Sequence, residues 1–507
     1  MTNPKTALTS LAAGGSAGGV TGAGAAVVLS ATKWRRLYEA IGGGGVEFVS
    51  IWGEPGRVHV AVRDRVAPDL AVFALPCPRG AYPALSPVYP PAARLERAIQ
   101  DLVGLEAVGL ADPRPWLDHG VWGATHPMGD ARPLSEAPAY RFLPAEGVGL
   151  HEVAVGPVHA GVIEPGHFRF TANGETVVRL EERLGYAHKG TAALMAGAPI
   201  EQAARLAGRV SGDSTVAYAF AFALAVEGAV GVVAPPRAQW LRGLMAELER
   251  LANHLGDIGA ICNDAAFTIL HAHFGVLRER VLRACAVAFG HRLMMDCITP
   301  GGVASDLGDG GEAAIVALIR DIRAVLPNLV EIYDETNSLQ DRTVGTGVVS
   351  ADRARRFGAG GFVGRASGRG FDARTWARYA PYDRLSFETP VFSEGDVNAR
   401  VWVRIREVEQ SLLILDRLLT RKPVGPLRAA WQDHPSERAG AALVEGFRGD
   451  IFVWVRLDGG GAVAACHLRD PSWFQWPLLE ACVEGNIIAD FPLCNKSFNC
   501  SYSGHDG

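Results

Sequence analysis

The chain has 507 residues, 48% hydrophobic and 20% charged, with a formal net charge of −5. That length exceeds one ordinary domain, and the composition is that of a globular protein with a large core. The acidic balance argues against a nucleic-acid partner, and no run of 18 apolar residues free of charge marks a membrane span, so any membrane association is expected to come through partners.

Leu11 to Thr32 is rich in Gly, Ala and Ser and lacks the charged-then-apolar order of a signal peptide. Residues 1–30 are expected to be a flexible tail. Residues 31–125 predict a small α+β domain: a helix near 33–42, strands at Val46–Trp52, Val58–Val62 and Leu70–Ala74, a proline-rich segment, and a helix from Ala92 to Val103. The basic run Lys33-Trp34-Arg35-Arg36 reads as a solvated helix face. Pro, Gly and Trp crowd residues 110–150, and 126–150 reads as a connector.

A second region covers 151–507. Phe168–Thr171 and Thr176–Leu180 predict strands joined at Asn173-Gly174, a strong hairpin signal. His159 and His167 flank this hairpin. They either face a shared cavity or cap turns by bonding backbone. Helices are expected at Ile200–Ala207, Ser214–Val232, Pro236–Ile261, Phe274–Cys297, Glu312–Ser338 and Val401–Leu419, a bundle whose interior carries polar groups such as Glu247, Glu249, Arg250 and His254. The fold class is therefore α+β, with a small N-terminal domain followed by a large, mainly helical one.

The eight cysteines, at 77, 262, 285, 297, 466, 482, 494 and 500, form no Cys-x-x-Cys pair. Their spacing fits reduced thiols rather than a disulfide framework, and no metal or cluster is expected to be held by this chain alone. Cys494 and Cys500 are the nearest two in sequence.

Two resemblances organise these observations. Tyr82-Pro-Ala-Leu-Ser-Pro-Val-Tyr-Pro followed by Leu95-Glu96-Arg97 and Asp101-Leu-Val-Gly104 resembles the 30 kDa hydrophilic subunit of respiratory complex I, although that family's Gly-His-Pro-Asp segment is poorly kept at Ala111-Asp112-Pro113-Arg114. Gly156-Pro-Val-His159, Leu184-Gly-Tyr-Ala-His188-Lys-Gly190, Glu249-Arg-Leu-Ala-Asn253-His254, Pro300-Gly-Gly302, Asp341-Arg-Thr-Val-Gly345, Pro381-Tyr-Asp383 and Gly395-Asp396 follow in order. Together they resemble the large subunit of energy-converting nickel–iron hydrogenases, formate hydrogenlyase above all, and the 49 kDa subunit of complex I.

The resemblance implies a metal held by two Cys-x-x-Cys pairs. Here those positions carry Ser211 and Ser214, then Ser501 and Gly504. Hydroxyls are poor ligands for soft metals and glycine supplies none, so no nickel–iron centre is expected. The complex I branch implies a quinone headgroup in the vacated cavity, bonded by a loop histidine (His159 or His167) and a tyrosine, for which Tyr218 and Tyr502 are the stand-ins. Asp264 reads as a proton carrier, or as a helix-end acid paired with Arg209. Arg209, His188 and Lys189 are candidates for the side facing a partner's cluster.

The resemblance further implies an iron–sulfur small subunit, antiporter-like membrane subunits, a peripheral place on the cytoplasmic side of the inner membrane, and the NAD and quinone binding of NADH dehydrogenase-like complexes. Two readings follow: a redox subunit passing electrons from a partner's iron–sulfur cluster to quinone or another small acceptor, or a non-catalytic coupling subunit whose old metal cavity is filled by side chains such as Tyr502 or Phe498. Loss of all four thiolates speaks against a working hydrogenase.

Overall fold

The computed structural model describes residues 7–12, 24–133, 140–161, 163–431 and 436–507. In the N-terminal unit, Trp34, Leu37, Tyr38 and Ile41 recur at helical spacing, so the helix Ala31–Gly42 buries that stripe and leaves Arg35 and Arg36 exposed. The strands Glu47–Glu54, Arg57–Arg63 and Leu70–Pro76 form an antiparallel meander. On Arg57–Arg63 the residues of both faces are buried: Val58, Val60 and Val62 face the helices Ala31–Gly42 and Ala93–Val103, while Ala61 packs towards Phe452 and Trp454 of the C-terminal region.

Residues 24–30 are not the free tail expected. Val27–Val28 adds a parallel fourth strand beside Phe73–Ala74. Gly24 donates its N–H to Ala439 O at 2.9 Å and accepts from Trp454 Nε1 at 3.0 Å. A short helix, Ala7–Ala12, precedes this strap, and the rest of the predicted tail lies outside the described residues. Further polar links cross the joint between the two units. Ser50 Oγ and His467 Nε2 are 2.7 Å apart, and Arg469 Nε donates to Val49 O at 3.0 Å.

The second unit opens with a three-stranded sheet in the order Thr176–Arg183, His167–Asn173, Leu150–Val155. Its hairpin turns at Gly174, whose φ of +58° is left-handed, as the Asn-Gly signal requires. The helix Thr215–Val230 is apolar on all sides; the stretch Gly212–Val230 is long and apolar enough to cross a membrane, yet it is mostly buried inside the protein. The long helix Pro236–Asp264 runs beside it; the helices Thr268–Phe289 and Val397–Thr420 pack against that long helix, and Gly311–Glu335 packs against Thr268–Phe289. The helix expected at Phe274–Cys297 starts earlier and stops at Phe289, because Gly290 adopts a left-handed C-cap.

The unit is less helical than its sequence pattern suggests. Arg438–Gly446, Gly449–Leu457 and Val463–Arg469 form an antiparallel sheet. It sits between the core helix and the N-terminal sheet, so its strands are buried on both faces and show no alternation. At Gly440 the strand touches the helix: a Cβ there would lie 1.7 Å from Ala225 O.

Buried charges in the interior are met by partners. Glu247 accepts from Arg374 (3.0 Å), Tyr382 (2.6 Å) and Ser411 (2.7 Å). Glu407 joins His254 and Arg365, each at 2.7 Å.

Candidate functional site

Two chain segments 290 positions apart meet here. After the helix Ile200–Ala207, the residues Gly212–Ser214 make one 3₁₀ turn that leads into the core helix. From the far end, the helix Phe491–Phe498 stops at Asn499, φ +45°, and the chain turns into the short helix Tyr502–Asp506. Ser501 caps that helix by accepting from Gly504 N at 2.9 Å. Its hydroxyl also meets the Ser211 hydroxyl at 2.8 Å. Three of the four positions read as vacated ligand sites, Ser211, Ser501 and Gly504, are thus tied into one hydrogen-bonded knot.

The fourth, Ser214, is engaged by a residue the sequence reading missed. Arg448, in the turn between two strands, sends Nη1 to Ser214 Oγ (3.2 Å) and to Asp213 Oδ1 (2.7 Å), and its Nε bonds Asn499 O. Arg448 is buried, and its side chain is 5% exposed against 35% for Asp213. Burial alone would raise the Asp213 carboxyl, but the charge and hydrogen bonds of Arg448 outweigh it and hold the group below its usual range. Asp470 completes the floor. It accepts from Tyr218 Oη at 2.7 Å and from Ser472 N at 2.8 Å. Burial, then the Asp470 carboxylate, push the Tyr218 phenol well above its ordinary value, so it stays a neutral donor. A Cβ on Gly504 would lie 2.5 Å from Asp470 Oδ2 and 2.8 Å from Ser501 Oγ.

The loop between strands Leu150–Val155 and His167–Asn173 closes over this knot. His159 Nε2 is 2.8 Å from Gly166 O, and His167 Nδ1 lies 3.4 Å from Gly156 O. Both histidines therefore engage backbone, the plainer of the two expectations. Burial lowers the pKa of His167. Tyr502 packs edge-on against Trp476 with centroids 4.9 Å apart, and so close beneath Gly166 that a Cβ there would meet its ring at 2.6 Å. Burial raises its phenol too. Glu164, a second residue missed, reaches from the loop to accept from Ser503 N at 2.9 Å.

Two expected partners are not brought together. Arg209 pairs with Asp296, Nη2 to Oδ2 at 2.7 Å, and not with Asp264; that bond raises its pKa. Asp264 ends the long helix, and burial raises its carboxyl more than the charge of Lys496 and a hydrogen bond from Asn263 lower it. The reason is distance along different elements: Arg209 projects from the loop before the knot towards residue 296, and Asp264 faces the helix that carries Lys496. Lys189 is exposed, as a solvated lysine would be, and its ammonium also donates to Arg209 O (2.8 Å) and Val210 O (3.0 Å), holding the turn that leads into Ser211. His188 Nδ1 contacts Asp506 O at 2.7 Å. The cavity of about 190 Å³ that reaches Gly212 and Asp213 is otherwise lined by Glu249, Asn253, Arg278 and Arg292, not by His159, His167, Asp264 or Tyr502. All eight cysteines are buried free thiols, and Cys494 has Cys482, not Cys500, as its thiol neighbour.

Chemically, the arrangement is a closed set of hydroxyls, one ion pair and one tyrosine–carboxylate bond. It can hold and pass charge through hydrogen bonds, and it offers no thiolate.

Comparison with known proteins places this geometry. Residues 264–439 match the respiratory-chain NADH dehydrogenase 49 Kd subunit, and residues 58–138 the 30 Kd subunit. Formate hydrogenlyase subunit 5 of Escherichia coli (strain K12) is 30% identical over 84% of this chain and 77% of its own length. The chain belongs to the family of hydrogenase-type large subunits shared with complex I. Within that family, the C/D component of NADH-quinone oxidoreductase from Bacteroides thetaiotaomicron is 27% identical over 87% of this chain and 86% of its own length. Carbon monoxide-induced hydrogenase of Rhodospirillum rubrum is 31% identical over 69% of this chain and 97% of its own. A chain in the structure of the membrane-bound sulfane sulfur reductase, an archaeal respiratory membrane complex, superposes with a TM-score of 0.67 at 28% identity, covering 71% of this chain and 99% of that one. The family's oxidoreductase subunits thus share this fold.

Proposed function

We propose that this chain is a subunit of a membrane-associated, energy-converting redox complex, attached to the membrane by partner subunits on its cytoplasmic side, and that it works without a nickel–iron centre. The observation that carries this reading is the Ser211–Ser501 hydroxyl pair locked beside the Asp213–Arg448 ion pair. The donor set does not fit the metal: three hydroxyls and a glycine replace four thiolates, and a guanidinium stands 3.2 Å from one would-be ligand. In its place the buried chain of hydroxyls, Asp213, Arg448, Asp470 and Tyr218 is suited to proton or conformational coupling. Electrons then reside in iron–sulfur clusters of a small-subunit partner, and antiporter-like subunits carry the ions.

The second reading, delivery of electrons to quinone or another small acceptor, is favoured by one observation. His159, Phe168 and Tyr502 lie together under a loop whose two histidines each make a single bond to backbone, so that modest rearrangement would free them. One experiment addresses both readings. The native complex is isolated from membranes, its metal content measured, its clusters chemically reduced, and a short-chain quinone added while the cluster EPR signal is followed. Stoichiometric nickel would overturn the proposal. Rapid reoxidation slowed by His159→Ala would establish the quinone reading, and clusters that stay reduced would point to a coupling subunit or an acceptor other than quinone.

A further inference from the structure

Away from this site, a cavity of about 420 Å³ opens where the helix Val397–Thr420 ends, between the start of the long helix and the turn Tyr382–Arg384. Arg384, Arg417, Arg421 and Lys422 line it, with no acidic side chain among the lining residues. Two of the four cations keep peripheral pairs: Arg384 Nε with Asp383 at 3.3 Å, and Lys422 Nζ with Glu312 at 2.5 Å, on largely exposed side chains. Arg417 and Arg421 have no carboxylate or carbonyl partner for their guanidiniums among the described residues, and Arg417 Nη1 is buried with no hydrogen-bond partner.

A buried, unpaired guanidinium N–H costs stability unless something accepts it. Cations in a last helical turn commonly offset the carbonyls there. Here two of those carbonyls have other donors. Leu418 O accepts from Trp240 Nε1 (2.6 Å) and Arg421 N (3.2 Å), and Arg417 O accepts from Thr420 Oγ1 (2.8 Å). The guanidiniums are left for a ligand from outside the chain.

We propose that this cavity binds phosphate, carried either by an anionic phospholipid or by a soluble phosphate ester. Guanidiniums and an ammonium approach from the turn, from the last helical turn and from the segment after it. A tetrahedral oxyanion offers each an oxygen, where a single carboxylate would occupy one fork. The volume exceeds one ion, and Trp240 and Leu385 give the remaining space an apolar wall suited to the carbon skeleton of a phosphate ester or the first methylenes of a lipid's acyl chains. This site stands independently of the redox reading.

The test uses the purified full chain with two probes: vesicles of phosphatidylcholine with or without phosphatidylglycerol, and inorganic phosphate. Sedimentation with the anionic vesicles only, competed by inorganic phosphate, is the expected result for a lipid. Thermal protection by inorganic phosphate without vesicle binding is the expected result for a soluble ester. In either case Arg417→Gln/Arg421→Gln lowers affinity about thirtyfold, about five- to sixfold for each cation. Arg421→Gln alone, at an exposed position, gives the single step in a chain whose fold is undisturbed. Arg35→Gln/Arg36→Gln, exposed arginines elsewhere, leaves binding unchanged. Binding that the Arg417/Arg421 pair does not affect, or no binding of either probe, overturns the proposal.

Discussion

Replacing Asp213 by Asn is the sharpest test of the ion pair at the centre of the knot. The change keeps the shape and removes the charge, so Arg448, 5% exposed, is left buried without its counter-ion. Breaking a buried pair from one side costs about 3–5 kcal/mol. Asp213 is 35% exposed, so solvent screens part of its charge, and the expected loss is at the lower end, about 3 kcal/mol. With 507 residues, the unfolding entropy is about 1 kcal/mol per kelvin, and the midpoint of thermal unfolding should fall by about 3 °C.

The partner change, Arg448→Met, leaves Asp213 with its serine hydroxyls and water and costs less. The double variant removes both charges and should be more stable than Asp213→Asn alone, with a coupling of about 2 kcal/mol. The pH dependence has a definite sign. Because the folded pKa of Asp213 is depressed, the advantage of the native chain over Arg448→Met is complete above the unfolded value, about 3.9, and is lost as pH falls through the folded one. Tryptophan fluorescence, with Trp473 and Trp476 beside the site, reports the transition. Additive single and double variants would refute the pairing.

Tyr218→Phe removes one of the donors to Asp470, a carboxylate that is 1% exposed, and should lower the same midpoint by about 2 °C, for a loss of about 2 kcal/mol; no change in the melting curve would mean that the bond is not formed. Ser211→Cys/Ser214→Cys/Ser501→Cys/Gly504→Cys should take up no nickel, because Arg448 still stands against position 214 and a side chain at 504 collides with Asp470; plasma mass spectrometry of the purified complex measures this, and stoichiometric uptake would show that the surroundings still suit a metal.

Much of the framework was legible because it is local. The helix Ile200–Ala207 follows its apolar spacing, the hairpin follows Asn173-Gly174, and the meander at 47–76 follows its β-branched runs. The sheet at 438–469 was not foreseen, since strands such as Arg-Ala-Gly-Ala-Ala-Leu-Val are covered on both faces and lose the alternation that marks a strand. At the site, the meeting of Ser211 with Ser501 was legible only through the resemblance. Arg448 gave no signal at all, because a single arginine in a Phe-Arg-Gly-Asp turn acquires meaning only when folding sets it against Asp213. The Asp264–Arg209 pairing failed for the same reason: charge complementarity in sequence does not say which acids an arginine can reach, and Asp296 was nearer.

The joint between the two units has a consequence for assembly. Arg469 is buried and His467 half-buried where the small unit covers them, Arg469 reaching Val49 O and His467 meeting Ser50. Without that cover, a guanidinium and an imidazole set in an apolar surface would face water beside Phe452 and Trp454. Carrying both units on one polypeptide turns their docking into an intramolecular event at high effective concentration. It fixes their ratio at one to one and spares the cell an intermediate with a bare aromatic face. The strap through Gly24 then works as a fastener, so that a push on one unit is felt by the other.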